Sequence, residues 1–198
     1  MSKGQETRTR ILRHAAKVAS RDGLEGLSIG ELASALDMSK SGLFAHFGSK
    51  EELQIEVLRA AASDFAVRVI QPALREPRGP ARLRALFDRW IRWASSPDMP
   101  GGCIFVAASV ELDDHPGPVR DYVVAQQRQL LEVFSRTARL GMEVGALRKD
   151  LDPDLLAFQI HALALGFHHA RRLLRLRNAD SLARQSFEQL LAQALPAH

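Results

Sequence analysis

Apolar residues recur along this chain at intervals of three and four, and nowhere do Val, Ile and Thr alternate with polar residues over a strand's length. The pattern predicts helices throughout, punctuated by Gly and Pro. The first spans about residues 6–21, with Ile11, Ala15, Val18 and Ala19 on one face and Gly23 following as a C-terminal cap. Ser28 opens a second, short helix. Its hydroxyl can accept the backbone N–H of Glu31 while Glu31 reaches back, the Ser-x-x-Glu capping box. Ile29, Leu32, Ala33 and Leu36 give that helix one buried face. A turn at Asp37-Met38 leads to Ser39, the N-cap of a third short helix carrying Leu43, Phe44 and Phe47 and ended by Gly48. Ser49 and Glu52 form another capping box, from which a long helix continues to about Gln71, ahead of Pro72.

Prolines at 77, 80, 97, 100, 116, 118 and 153 mark the later boundaries. Residues 81–95 place Leu83, Leu86, Phe87, Trp90 and Ala94 on one face, and 102–112 form a short, strongly apolar segment. Residues 119–143 carry a stripe of Val119, Tyr122, Val123, Gln126, Leu130, Val133, Phe134 and Thr137, with Gly145 just beyond. Asp152 as N-cap and Pro153 at the first helical position open a helix predicted to reach about Arg177. The last, about 180–195, has Ala183, Phe187, Leu190, Leu191 and Ala194 on one side. No repeat or low-complexity tract interrupts the pattern. The expectation is an all-α chain of about nine helices. Residues 1–50 make a three-helix unit with a helix-turn-helix, and 51–198 make a larger helical domain.

Composition adds exclusions. Hydrophobic residues make up 46% and charged residues 25%, ordinary for a globular protein. The longest apolar runs, 104–110 and 162–167, are too short to cross a bilayer, and MSKGQETRTR lacks the apolar segment of a secretory signal. The single cysteine, Cys103, has no partner for an intramolecular disulfide. The expected location is cytoplasmic, associated with the nucleoid, with no membrane partner. Net charge is +4, and residues 1–50 hold eight Lys and Arg (Lys3 among them) against five acids. A basic end suits phosphate contact and equally suits a solvated helix; Arg8 and Arg10 fit either a phosphate-touching arm or a solvated terminus.

The second and third helices carry the informative chemistry. A helix entering the major groove must present short polar or basic side chains at its N-terminal end, where backbone N–H groups also face phosphate. Ser39, Lys40, Ser41 and Gly42 occupy that end, while Leu43 and Phe47 can pack on Leu32 and Leu36. Residues 23–53, GLEGLSIGELASALDMSKSGLFAHFGSKEEL, resemble the DNA-binding signature of TetR-family regulators. The shared features are a Gly ending the first helix, a Ser/Thr-initiated second helix, an aromatic-x-x-Phe element ending the recognition helix, and Ser-Lys-Glu-x-Leu opening the fourth.

That resemblance implies a transcriptional regulator, a repressor released by a small and largely apolar effector, that binds a palindromic double-stranded operator as a homodimer. It implies that Ser28 and Ile29 start the helix lying across the backbone. Ser39, Lys40, Ser41 and Gly42 would meet base edges and nearby phosphates, Phe44 and His46 the sugar-phosphate wall, and Lys50 a phosphate. Two positions depart from the family pattern. Asp37 stands where Gly is usual in the turn, and Asp tolerates the left-handed region better than most residues. Phe44 stands where Tyr is usual and has no hydroxyl to donate, so it acts by apolar contact, as with a thymine methyl, or by packing.

In the remainder, residues 154–176 are apolar nearly all round in their first half, so that helix must be covered on both sides. With the final helix it resembles the family's four-helix dimer bundle, which implies an interface of Phe158, Leu165, Phe167, Phe187, Leu190 and Leu191. An apolar effector cavity is expected among Trp90, Trp93, Cys103, Phe105, Tyr122 and Phe158, with Glu111, Gln126 and His161 as polar residues stranded on apolar faces. No cofactor is expected and no metal, since His161 and His168 are two turns apart and His168 and His169 diverge. No nucleophile motif, P-loop or zinc pattern is present, so no enzymatic activity is expected. The alternatives are a helical enzyme or an interaction module using Glu111 and His161.

Overall fold

The computed structural model describes residues 3–196. Met1, Ser2, Ala197, His198 and the side chain of Lys3, one of the basic groups counted above, lie outside the described residues. Among the described residues every regular element is helical, and there are nine helices. They are α1 (Lys3–Asp22), α2 (Ile29–Ala35), α3 (Lys40–Phe47), α4 (Lys50–Phe65, extended through Ala66–Ile70 and Gln71–Ala73), α5 (Pro80–Ala94), α6 (Ile104–Leu112), α7 (Pro118–Glu143), α8 (Pro153–Arg172) and α9 (Ala179–Gln193).

The predicted caps form where the side chains are placed to make them. Ser28 Oγ accepts the Glu31 N–H, Ser39 Oγ the Gly42 N–H and Ser49 Oγ the Glu52 N–H, while Asp152 Oδ1 accepts from both Asp154 and Leu155. Asp37 takes φ +54°, the left-handed conformation that the α2–α3 turn demands. Two helix ends differ from expectation. Pro72 does not stop α4, because Ala66–Ile70 widens into a π-helical stretch in which the Gln71 N–H reaches back to the Ala66 carbonyl. An α-helical proline would drive its ring into the carbonyl four residues earlier, and the wider turn relieves that clash. Helix α8 ends at Arg172 rather than about Arg177. The Leu174 N–H closes on the His169 carbonyl and Arg175 turns left-handed at φ +53°, leaving Leu173 and Leu174 exposed.

The chain forms two compact units. The first combines residues 1–64 with 95–125, and the second 65–94 with 126–198. In the first, Ile11, Ala15, Ala19, Leu24, Leu32, Leu43, Leu53 and Val57 are fully buried. Residues 95–125 join this unit because the turn before α6 docks on the end of α1. The Gly101 N–H donates to Ser20 Oγ, Lys17 pairs with Asp98, and a Cβ on Gly101 would sit 1.5 Å from the Ser20 carbonyl oxygen. In the second unit Phe87 and Phe187 stack with ring centroids 4.4 Å apart, and Leu83, Trp90, Trp93 and Phe134 complete the core.

Candidate nucleic-acid interface and aromatic cluster

Helix α3 buries Leu43 and Phe47, which turns Ser39, Lys40, Ser41, Phe44 and Ala45 outward. Phe44 is 48% exposed, a large apolar ring half open to solvent. Ser39 Oγ lies 3.2 Å from Ser41 Oγ, so the two hydroxyls form one polar edge at the start of the helix. Gly42 and His46 are half-buried, the His46 ring tilted against Phe47 at 6.1 Å. Lys40 folds across the start of α2, where a Cβ on Gly30 would come within 3.0 Å of its Cε and within 3.8 Å of Ser28 Oγ. Glycine there makes room for the lysine stem, and Ser28, Gly30 and Lys40 share one corner of the surface. Ile29, beside them, is half-buried.

The supports behind this surface are ionic. Arg8 lies in α1, with its guanidinium 5.2 Å from the centre of the Phe47 ring and hydrogen-bonded to Glu56 at 2.5 Å. Glu56 also receives Arg59, whose guanidinium stands 6.0 Å from the Tyr122 ring. Burial pushes the Glu56 carboxyl up, but the two arginines more than offset it and hold the group below its ordinary value. Lys50, whose position in the signature implies a phosphate clamp, donates to the Glu25 carbonyl at 2.8 Å and to the Glu25 carboxylate at 3.0 Å. That contact keeps Glu25 below the usual carboxylate range.

The second unit holds an aromatic cluster. Trp90 is 2% exposed and meets Phe65 edge-on, Phe134 at 6.0 Å and the His161 ring at 5.8 Å, while Trp93 meets Phe65 edge-on at 5.1 Å. His161 Nε2 lies 3.2 Å from Gln127 Oε1, and burial lowers the histidine's pKa, favouring the neutral ring. Spacing along α7 pointed to Gln126; Gln127 is the residue facing His161. It stands four residues after Val123 and seven before Phe134, both buried, so the stripe itself contained the signal.

The residues expected to line the effector cavity fall in both units. Trp90, Trp93, Gln126, Phe158 and His161 belong to the second, and Cys103, Phe105, Glu111 and Tyr122 to the first. Within the second, Trp90 and His161 come together as expected, whereas Phe158 points outward with 64% of its surface exposed. Cys103 is buried at the start of α6, and burial raises the pKa of Tyr122 beside Arg59. Both carboxylate oxygens of Glu111 are occupied by protein, accepting the backbone N–H groups of Leu24 and Glu25.

Of the expected interface residues, Phe158 and Leu165 are exposed and Leu190 is half-buried. Phe167, Phe187 and Leu191 lie in the core of the second unit, with Phe187 committed to its stack on Phe87. A cleft of about 310 Å³ opens between the start of α8 and the end of α9, lined in part by Leu155, Gln159, Leu190 and Gln193. Among the described residues no group of three or more His, Cys, Asp or Glu could hold a metal ion, and no helix is long and apolar enough to cross a membrane.

Comparison with known proteins agrees with this geometry. Residues 11–57 match the family model for bacterial regulatory proteins of the tetR family, and 79–187 match the tetracyclin repressor-like C-terminal domain. The chain is 29% identical over 152 residues to the HTH-type transcriptional repressor DhaR of Mycobacterium sp. (strain GP1), covering 76% of this chain and 74% of that one. Its fold is similar to that of a TetR transcriptional regulator from Chloroflexus aurantiacus J-10-FL, with a TM-score of 0.88, 28% identity and 98% of each chain covered. It is also similar to a putative transcriptional regulator from Saccharomonospora viridis solved in complex with choline, with a TM-score of 0.78, 23% identity and coverage of 98% and 100%. With one family model spanning more than half of its length and a second covering the helix-turn-helix, this chain belongs to the TetR family of DNA-binding transcriptional regulators.

Proposed function

We propose that the protein is a repressor that binds a palindromic operator as a homodimer and is released from it by a small, largely apolar effector. The observation that carries this reading is the outward face of α3, where Ser39, Lys40, Ser41 and Phe44 stand exposed on a helix anchored by buried Leu43 and Phe47. The repressor assignment is supported by the likeness to DhaR, which bears that name. In this reading residues 1–50 carry the DNA contacts and 51–198 the effector site and dimer surface. Ser28, Ile29, Gly42, His46 and Lys50 complete the DNA face. The effector site is centred on Trp90 and His161 of the second unit, with Trp93 and with Gln127, the residue that faces His161, in place of Gln126. The two-fold surface takes Phe158, Leu165 and Leu190. In this reading the protein is a regulator and not an enzyme, and Glu111, one of the two acid–base candidates, spends both carboxylate oxygens on the backbone N–H groups of Leu24 and Glu25.

Selection from random duplexes at moderate salt tests the reading. The expected product is one enriched near-palindrome; failure to enrich any sequence sinks the proposal. On the recovered site, Lys40→Ala should weaken binding to all sequences alike and lower the slope of log affinity against log salt by about 0.9, the value for one lost phosphate contact on B-DNA. Ser41→Ala should change the sequence preference instead.

A further inference from the structure

We infer that Glu111, on α6 and outside the DNA-binding signature, is a positioning residue for operator binding; the inference rests on the DNA-binding reading above. Helix α1 stops at Gly23, which takes φ +81°, and five residues later the chain enters α2 through its N-cap Ser28. Two consecutive residues in that short connection, Leu24 and Glu25, have both their backbone N–H and their C=O held by side chains from elsewhere, so the peptide group that joins them is held at both ends. The N–H of Leu24 donates to Glu111 Oε2 at 2.8 Å and the N–H of Glu25 to Oε1 at 2.5 Å. On the carbonyl side, Gln54 Nε2 donates to Leu24 and Lys50 Nζ to Glu25. Clamping both N–H and C=O of consecutive residues fixes the orientation of their peptide planes. Leu24 and Leu27, each 1% exposed, fix the depth of the segment.

The fit between this segment and Glu111 is close. A Cβ on Gly23 would stand 2.8 Å from Glu111 Oε2, so residue 23 must lack a side chain both for its backbone angle and to admit the carboxylate. The carboxylate is also the only acid of α6, whose other residues, Ile104–Leu112, are apolar apart from Ser109. Bidentate acceptance of two backbone N–H groups needs an ionised carboxylate: an amide keeps one acceptor and turns a donor toward the second N–H. The consequence reaches the DNA face because α2 begins at the end of this loop, and Lys40 of α3 lies across the first turn of α2. A shift of α6 by the length of a hydrogen bond would therefore release the connection that aims α2 and α3.

The test compares wild type, Glu111→Gln and Glu111→Ala in the full chain, with two readouts taken on folded protein. The first is affinity for the operator recovered by selection, measured over a range of salt. The second is amide hydrogen exchange at Leu24 and Glu25 without DNA. The expected order of affinity is wild type, Gln, Ala, with at least a tenfold loss for Ala. The salt slope should not change, because no phosphate contact is removed. The two amides should lose protection in the same order. A folded Glu111→Ala protein that binds operator within twofold of wild type would overturn the inference, even if its melting temperature fell, since a purely structural role lowers stability without changing the affinity of folded molecules. A changed salt slope would also overturn it, by making Glu111 part of the DNA contact surface. If Glu111→Ala does not fold, Glu111→Gln decides by the same criteria. If wild type selects no DNA, the functional reading fails, and the exchange readout still shows whether Glu111 holds the loop.

Discussion

Phe158 and Phe187 were expected on the same interface, and the structure separates them sharply enough to set opposite outcomes for their substitution. Phe158 stands on α8 with 64% of its surface exposed, flanked on the same face by Leu155 at 52% and Leu165 at 38%. Burying a phenylalanine side chain is worth about 1.5–3 kcal/mol. Roughly two-thirds of that, about 1–2 kcal/mol, is still available to Phe158 for association. A two-fold interface counts it twice, about 2–4 kcal/mol, or roughly a 30- to 1,000-fold change in dimer dissociation constant. Phe158→Ser should produce that weakening in sedimentation equilibrium while leaving the monomer's urea midpoint nearly unchanged. Phe187→Ala removes a ring stacked at 4.4 Å on Phe87 and should cost about 3–5 kcal/mol of folding stability. A Phe158→Ser dimer whose dissociation constant stays within twofold of wild type would refute the argument, because no two-fold surface could then include that ring.

Two shorter expectations concern stability. Gly101→Ala places a Cβ 1.5 Å from the Ser20 carbonyl oxygen, backbone against backbone, so the thermal midpoint should fall by the equivalent of about 2 kcal/mol or more; an unchanged midpoint would contradict the packing of this turn on α1. Burial lowers the pKa of His161, and burial, then Arg172 and His169, that of His168. Their contribution to stability is complete above the unfolded histidine value, about 6.5, and is lost as pH falls from there toward the folded values. Urea midpoints should therefore decline with acid, and more gently in His161→Gln; equal slopes in the two proteins would assign the acid loss to other groups.

What was legible in the sequence was local. Capping depends on residues two or three apart, and Ser28, Ser39, Ser49 and Asp152 all cap as their spacing predicts. The tolerance of Asp37 for a left-handed turn is likewise a property of one residue. The partners of Glu111 lie 86 and 87 positions away, and no periodicity carries information over that distance. Helix faces gave an intermediate case. Helix α9 has one apolar side, and the core takes it, through Ala183, Phe187 and Leu191. Helix α8 is apolar nearly all round, so one face fills the core through Leu156, Ile160, Ala164 and Phe167 while Leu155, Phe158 and Leu165 are left over. Periodicity shows that α8 has two faces. It does not say which of them points inward, and that is why Phe167 and Phe158 looked equivalent.

Lys50 poses the remaining question, because a family-derived role and an observed contact compete for one ammonium. Its side chain is 42% exposed, yet Nζ is bound to both the carbonyl and the carboxylate of Glu25. Lys50 keeps the Glu25 carboxyl below the usual range, so the counter-charge persists at any pH where DNA binding is measured. Glu25→Gln removes that charge but leaves the backbone carbonyl, and hence the loop, in place. If Lys50 can also serve phosphate, the freed ammonium should take up one, and the slope of log affinity against log salt should steepen by about 0.9. The added Lys50→Met substitution should then abolish the gain. If instead Glu25→Gln leaves the slope unchanged, Lys50 is a strut for the α1–α2 loop and no more, and the phosphate role implied by its place in the signature does not hold for this chain.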